Sequence, residues 1–399
     1  MTRSLESRRR VIIIEREKYG VASRCAFFLD GSLPYRQIRE TENMIRYEAW
    51  YSFPMNEEKT NGIMNGTVQS FRAFPIKGVI VSFILILGLS VFVFARFGDF
   101  EQFLRTARQA ELWWLVAAIV LQMLTYVSAG EVWNVAVRAA KHPIRTRILV
   151  RLSIERLAID QFMPSAGVAG HVGTLQALRH FGVPTPVAME ALFVDLLSHY
   201  AAYASAALGA FAVLSFHNEV TLIVLLSLGA FAAISIVVFS GTIAFLLNRD
   251  WIRKMPTWIT RRKMVERLMR AVSAVSSERI LSWDIFFRAS FFQLAIFVLD
   301  GATLWMTLRA VGIHASLPIT FSAYVIAMVA GTVLFIPGGV GVFEVGAVST
   351  LVGLGVPFEG ALAGTLLLRG LTLWIPLIPG SILAHQDLAL GNKPDASSR

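Results

Sequence analysis

The stretch FMPSAGVAGHVGTLQALRHFGVP at 162–184 aligns without gaps on FIPGGVGVFEVGAVSTLVGLGVP at 335–357, at an offset of 173 residues. Eight of the 23 positions are identical (Phe162/Phe335, Pro164/Pro337, Val172/Val345, Gly173/Gly346, Leu178/Leu351, Gly182/Gly355, Val183/Val356 and Pro184/Pro357), where composition alone gives roughly two. Carried outward, the same offset lays the apolar run 112–137 on 284–310, and 186–214 close to 358–384. Each half therefore reads as span, broken hairpin, span. One crossing, 219–247, joins the halves, so they are expected to sit in the membrane upside down relative to each other.

The breaks have a physical reading. A helix interrupted in lipid exposes unpaired N–H and C=O groups, so irregular backbone survives only where protein or water satisfies it. Pro337-Gly338-Gly339 stops a helix, because Pro lacks an N–H and Gly permits positive φ. A helix restarting near Val342 after Gly341 would turn its N-terminal amides inward, towards an anionic group such as a phosphate. Pro164 marks the matching break in the first half. Inverted repeats with discontinuous helices are the layout of many secondary transporters. Small residues at these positions also serve close helix packing, and that alternative stays open.

The rest of the chain sets the context. Of 399 residues 55% are hydrophobic and 16% charged, against about 25% charged in soluble domains. The expected fold class is all-α: a polytopic membrane helical bundle of about six full spans (78–95, 112–137, 186–214, 219–247, 284–310, 358–384) plus two re-entrant hairpins, or eight spans. One cysteine, Cys25, excludes an internal disulfide framework, and the seven histidines include no HExxH. No metal, cofactor or catalytic group is expected. The net charge of +10 is assigned to topology and not to nucleic acid. Residues 138–151 hold five Lys/Arg and no carboxylate, and 249–270 hold eight Lys/Arg against two acids. Both are expected to be cytoplasmic, as are both termini. Residues 1–75 carry twelve Lys/Arg and nine Asp/Glu and no run long enough to span, VIII at 11–14 included. They read as a cytoplasmic tail of the composition that stays disordered, followed by a membrane domain at 76–386 (repeats 112–214 and 284–384) and a cytoplasmic tail at 387–399.

Ionisable side chains at membrane depth are functional candidates by default. Glu344, just past the second break, and Arg369, midway along the last span, form the leading pair. Their repeat mates are His171 and Leu196, the latter next to Asp195. Each half thus combines one hairpin group with one in the following span, with signs reversed. Glu344–Arg369 reads equally as a contact site or as a salt bridge fixing the hairpin. Arg156 and Asp160 read as a local i, i+4 pair, and Asp300 as a carboxylate without a partner, facing the cavity. Trp113, Trp114, Trp133, Trp251, Trp258, Trp283 and Trp374 fall near span ends, as interfacial anchors do.

FIPGGVGVFEVGAVSTLVGLGVP followed by LLLRGLTLWIPLIPG at 366–380 resembles the closing signature of the flippase-like transmembrane domain of lysylphosphatidylglycerol synthases. The 162–184 stretch is similar to the first hairpin of that family, with Pro164-Ser165 where the family has Pro-Gly. The resemblance covers about 75–386 and makes Pro337, Gly338, Gly339, Gly341, Glu344 and Arg369 the motif positions. Pro164, His171 and Asp195 complete the set expected to bind or gate lipid. It implies a translocase in the cell (plasma or inner) membrane, moving an anionic phospholipid or a polyprenyl-linked lipid between leaflets. The alternative is a scaffold presenting lipid to a partner glycosyl- or aminoacyl-transferase. In the synthases a soluble domain after the membrane part does the aminoacyl transfer, and only AHQDLALGNKPDASSR follows here, so no enzymatic activity is expected. No GxxxxGK[ST] loop is present, which leaves passive or ion-driven movement.

Overall fold

In hydrocarbon every backbone N–H and C=O must be satisfied within its own segment, so long apolar runs resolve as helices. The computed structural model of the protein describes residues 9–18, 21–30, 111–162, 168–248, 275–334, 339 and 341–390. The chain divides into two units, 1–69 and 70–399. In the first, β1 (Arg9–Lys18) pairs antiparallel with β2 (Val21–Asp30), so the VIII run forms a strand.

The described part of the second unit is helical. α1 (Leu112–Ala139), α2 (Thr146–Phe162), α3 (Val168–His180) and α4 (Thr185–Phe216) form repeat one. α5 (Leu222–Leu247) and the single-turn α6 (Ser277–Ile280) follow. Repeat two consists of α7 (Trp283–Ala310), α8 (Leu317–Val333), α9 (Val342–Gly353), α10 (Phe358–Arg369), a π-turn at Gly370–Trp374, and α11 (Ile375–Leu390). Among the described residues five segments are long and apolar enough to cross a membrane: α1, α4, α5, α7, and 358–383. They coincide with five of the six expected spans. The run 78–95 and the basic loop 249–270 lie outside the described residues.

The hairpin arms have 17, 13, 17 and 12 residues, so they reach about 18–25 Å at 1.5 Å per residue, short of a ~30 Å core. Each pair of arms turns back. Leu149 on α2 and Leu178 on α3 share one apolar cluster with Val137 at the end of α1. Ala315 before α8 and Leu351 on α9 share another with Leu308 at the end of α7.

Repeat equivalence extends to backbone angles. Gly182 and Gly355 sit at φ +84° and +87°, a conformation that costs L-residues and not glycine. At each, the next residue's N–H turns back onto a carbonyl five residues earlier, Val183 to Leu178 and Val356 to Leu351. Pro184 and Pro357 then open the following span with nearly the same angles, φ −57° with ψ 141° and 139°. The shared GVP tripeptide is therefore a helix stop and restart used twice.

The halves are inverted. Glu111 N–H, at the start of α1, donates to the carbonyl of Ala310 at the end of α7 at 2.9 Å. Trp114 meets Trp305 edge-on at 5.9 Å, and Thr125 reaches Asp300 at 3.1 Å. At the far end, Arg138 and Glu131 border a groove with Asp284 and Arg288. The contacts run up one helix and down the other, so the repeat mates α1 and α7 are antiparallel.

α4 and α7 also connect two separate apolar cores. Residues 187–197 of α4 and 285–289 of α7 belong to one core, and 202–214 and 297–308 to the other. Between the cores lie Ser198 and His199 on α4 and Gln293 on α7, with Asp195 at the border. A polar seam at mid-height of the bundle results.

Candidate functional site

In repeat one the seam is built around Asp195, which is 4% exposed. Its Oδ1 accepts from Gln293 Nε2 at 2.6 Å, and its Oδ2 from Trp133 Nε1 at 3.2 Å and from Arg156 Nη1. Arg156 Nη2 donates to His171 Nε2 at 3.2 Å, and His171 lies 3.7 Å from Asp195. The guanidinium stands 5.5 Å from the centre of the Trp133 ring. Five helical elements meet at this point: α1, α2, α3, α4 and α7. The i, i+4 contact of Arg156 with Asp160 exists, at 3.5 Å. It is the longer of the two ion pairs, so Arg156 is an interhelical residue and not only a local one. Trp133 is a correction as well. It is 1% exposed and donates to Asp195, whereas Trp113 and Trp283 are about 70% exposed, as anchors are. Burial of an indole requires a partner for its N–H, and the carboxylate supplies it.

Repeat two places Glu344 and Arg369 together. Glu344 Oε1 accepts from Arg369 Nε at 2.7 Å, and both side chains are largely buried. Oε2 accepts from the Gly341 N–H at 2.6 Å, which caps α9 with its own third residue. Gly341 has φ +86°, so the turn into α9 favours glycine there. The Arg369 guanidinium stacks 4.7 Å from the centre of the Phe343 ring. Arg369 is also the last residue before the π-turn, a wider local winding that recurs at functional sites.

Both clusters place an arginine over an aromatic ring and against a carboxylate. Gly339 is described, with φ +61° and its backbone beside Gly331. Pro164, Pro337 and Gly338 lie outside the described residues. The amides expected to face a phosphate are partly used, since Gly341 N–H is held by Glu344 and Gly170 N–H by Asp160 at 3.0 Å. Each break is thus capped by a carboxylate of the protein.

The two hairpins approach one helix. Hairpin one reaches α4 at Asp195 through Arg156 and His171, and hairpin two reaches it through Thr332, 3.2 Å from the Tyr203 hydroxyl. Asp195 and Tyr203 are eight residues apart, about 12 Å along α4. Asp300 does not stand alone. It accepts from Tyr324, Gln122 and Thr125, because antiparallel packing of α7 on α1 sets Gln122 and Thr125 against it and α8 brings in Tyr324.

The family model described as "Lysylphosphatidylglycerol synthase TM region" matches residues 79–380. The chain belongs to this family. A phosphatidylglycerol lysyltransferase from Bacillus subtilis (strain 168) is 32% identical over 91 residues, which cover 23% of this chain and 11% of that relative. The chain therefore spans a small part of the relative it matches. As a member of the lysylphosphatidylglycerol synthase TM region family, it is a multi-pass membrane domain of a lipid-related family, corresponding to the membrane part of a synthase. The family match takes in both hairpins, both arginine–carboxylate clusters and the π-turn.

Proposed function

We propose that this domain moves a lipid with an anionic headgroup, a phospholipid or a polyprenyl-linked lipid, between the leaflets of the cell membrane along the polar seam between its inverted repeats. It does so as a translocase and not as an enzyme, with 138–151 and both termini in the cytoplasm. The observation that carries this reading is the pair of arginine–carboxylate clusters, one from each repeat, at membrane depth.

The chemistry follows from the cost of separating such pairs. Removing one partner of a buried ion pair leaves an uncompensated charge worth about 3–5 kcal/mol. Arg156 and Arg369 therefore exchange Asp195 and Glu344 only for another anion, and a phosphate suits a guanidinium fork as a carboxylate does. An anionic headgroup entering the seam replaces the carboxylate, frees the hairpin that it held, and is released when the carboxylate returns. The inverted arrangement presents equivalent exchanges towards the two leaflets.

The test is reconstitution of the full chain in liposomes with a labelled anionic phospholipid, measuring its appearance in the opposite leaflet. Wild type is expected to accelerate exchange, and Arg369→Ala and Asp195→Asn to lose it. Lipid movement that needs an added transferase would favour the scaffold reading, and chemically altered lipid with the chain alone would overturn the non-enzymatic one. Cysteines at Lys141 and Asn218, with Cys25 replaced, should label from opposite sides.

A further inference from the structure

One carboxylate at membrane depth belongs to neither arginine cluster. Asp300 sits in the middle of α7, where Oδ1 accepts from Gln122 Nε2 at 2.9 Å and Thr125 Oγ1 at 3.1 Å, and Oδ2 accepts from the Tyr324 hydroxyl at 2.7 Å. All three donors are neutral. Among the described residues no Lys, Arg or His pairs with it, unlike Asp195 and Glu344. A structural carboxylate buried in apolar surroundings ordinarily has a cation beside it.

A second observation concerns Tyr126, the residue after Thr125 on α1. It is 6% exposed, and among the described residues its hydroxyl has no hydrogen-bond partner. Buried hydroxyls are rarely left unpaired, and each exception calls for a reason. A hydroxyl oxygen accepts as well as donates. The ionised carboxylate already has three donors, and the Thr125 hydroxyl, which also lies 3.3 Å from the Leu121 carbonyl, can turn its own proton to that carbonyl and accept the proton of the carboxylic acid form. The surroundings thus satisfy Asp300 in both protonation states.

The location connects this group to the moving parts. Its donors come from α1 of repeat one and from α8, the first arm of hairpin two. Tyr324 packs edge-on against Phe343 at 5.8 Å, and Phe343 carries the Arg369 guanidinium. A shift of hairpin two therefore changes the Asp300 hydrogen bonds and the Glu344–Arg369 pair together. The other titratable or charged groups facing this region are Tyr126 on α1, Asp195, His199 and Tyr203 on α4, and Arg369 on α10. Glu278 and Arg279 on α6 lie towards the opposite, N-terminal end of α7.

We infer that Asp300 is a proton-binding site within the membrane, which takes up a proton as its carboxylic acid and returns it as the repeats rearrange, coupling lipid movement to a proton gradient. The inference rests on the translocation reading above. It adds the driving ion, by a group distinct from the arginine clusters.

Infrared difference spectra of the full chain in lipid, recorded as pH is stepped, test the proton site without reference to transport. A protonated-carboxyl band that follows pH in wild type and disappears in Asp300→Asn is expected. A band that is absent, or that survives the substitution, overturns the assignment. In liposomes, an imposed pH gradient should change the rate of anionic phospholipid movement by roughly tenfold, the usual range of coupling between two sites. Asp300→Asn should keep the gradient-free rate and lose that response, while Asp284→Asn, at the exposed start of α7, keeps both. A wild-type rate indifferent to pH, or one that follows a sodium gradient instead, overturns the coupling. Absence of lipid movement at every pH, with the band intact, would remove the translocation reading and the coupling that rests on it, yet leave the proton site standing.

Discussion

In repeat one the arginine comes from the hairpin, Arg156 on α2, and the carboxylate from the following span, Asp195 on α4. In repeat two the carboxylate is on the hairpin, Glu344 on α9, and the arginine on the span, Arg369. The aromatic ring beneath the guanidinium also changes source, from Trp133 on α1 to Phe343 on α9. What the repeats share is backbone: the helix order, the GVP restart and the break between arms. Side-chain chemistry at the breaks has been reassigned between elements while each cluster keeps one fixed cation against its counter-charge. Low dielectric demands this balance and is indifferent to which helix supplies which sign.

The clusters differ in redundancy, and the sharpest way to break the comparison is to remove one member of each ion pair. Arg369→Ala strips Glu344 of its only ion-pair partner among the described residues, so a loss of about 3–5 kcal/mol and of lipid movement is expected. Thermal unfolding of the solubilised protein measures the first, and the liposome assay the second. Asp195→Asn should cost less, about 1–3 kcal/mol. Arg156 keeps Asp160 at 3.5 Å, and the amide oxygen still accepts from Trp133 or Gln293. Equal losses in the two variants would contradict the view that cluster one is the buffered one.

A third substitution compares repeat mates of identical residue type. A Cβ on Gly346 would stand 3.1 Å from the Ala327 Cα, a backbone atom that cannot yield cheaply. On Gly173 it would meet the terminal Cδ1 of Ile159 at 2.7 Å, which a rotamer change can clear. Gly346→Ala is therefore expected to destabilise by about 1–3 kcal/mol and Gly173→Ala by less, read from the same melting curves. The reverse order would mean that hairpin one, not hairpin two, is the tightly packed arm pair. The smallest expected effect is Trp133→Phe. It keeps the ring under Arg156 but deletes one donor to Asp195, at about 1 kcal/mol, with loss of the emission of a buried indole as the accompanying signal.

Much of this architecture was readable in one dimension. The 173-residue offset located both hairpins, both restarts and the equivalence of the flanking spans, because proline, glycine and long apolar runs act through local backbone rules. The same alignment brought out Glu344 and Arg369, whose opposite signs at membrane depth call for a shared partner. Arg156 does not stand out in the sequence, because a local acid four residues on offers a sufficient partner. Trp133 reads as an anchor in the sequence, because its distance from the helix end does not reveal which way it faces.

By itself, then, the sequence determined that the chain is a helical membrane domain made of two inverted halves with interrupted hairpins. Those properties depend on hydropathy, on the residues that cannot continue a helix, and on counting crossings. Only the tertiary structure decided that Asp195 is held by Arg156, Trp133 and Gln293 from three other helices, that Glu344 caps its own helix while binding Arg369, and that Asp300 has neutral donors instead of a cation among the described residues. Partnership at membrane depth is set by which faces two helices turn towards each other. Spacing along one chain does not carry that information when partners on different helices lie 24 to 178 residues apart.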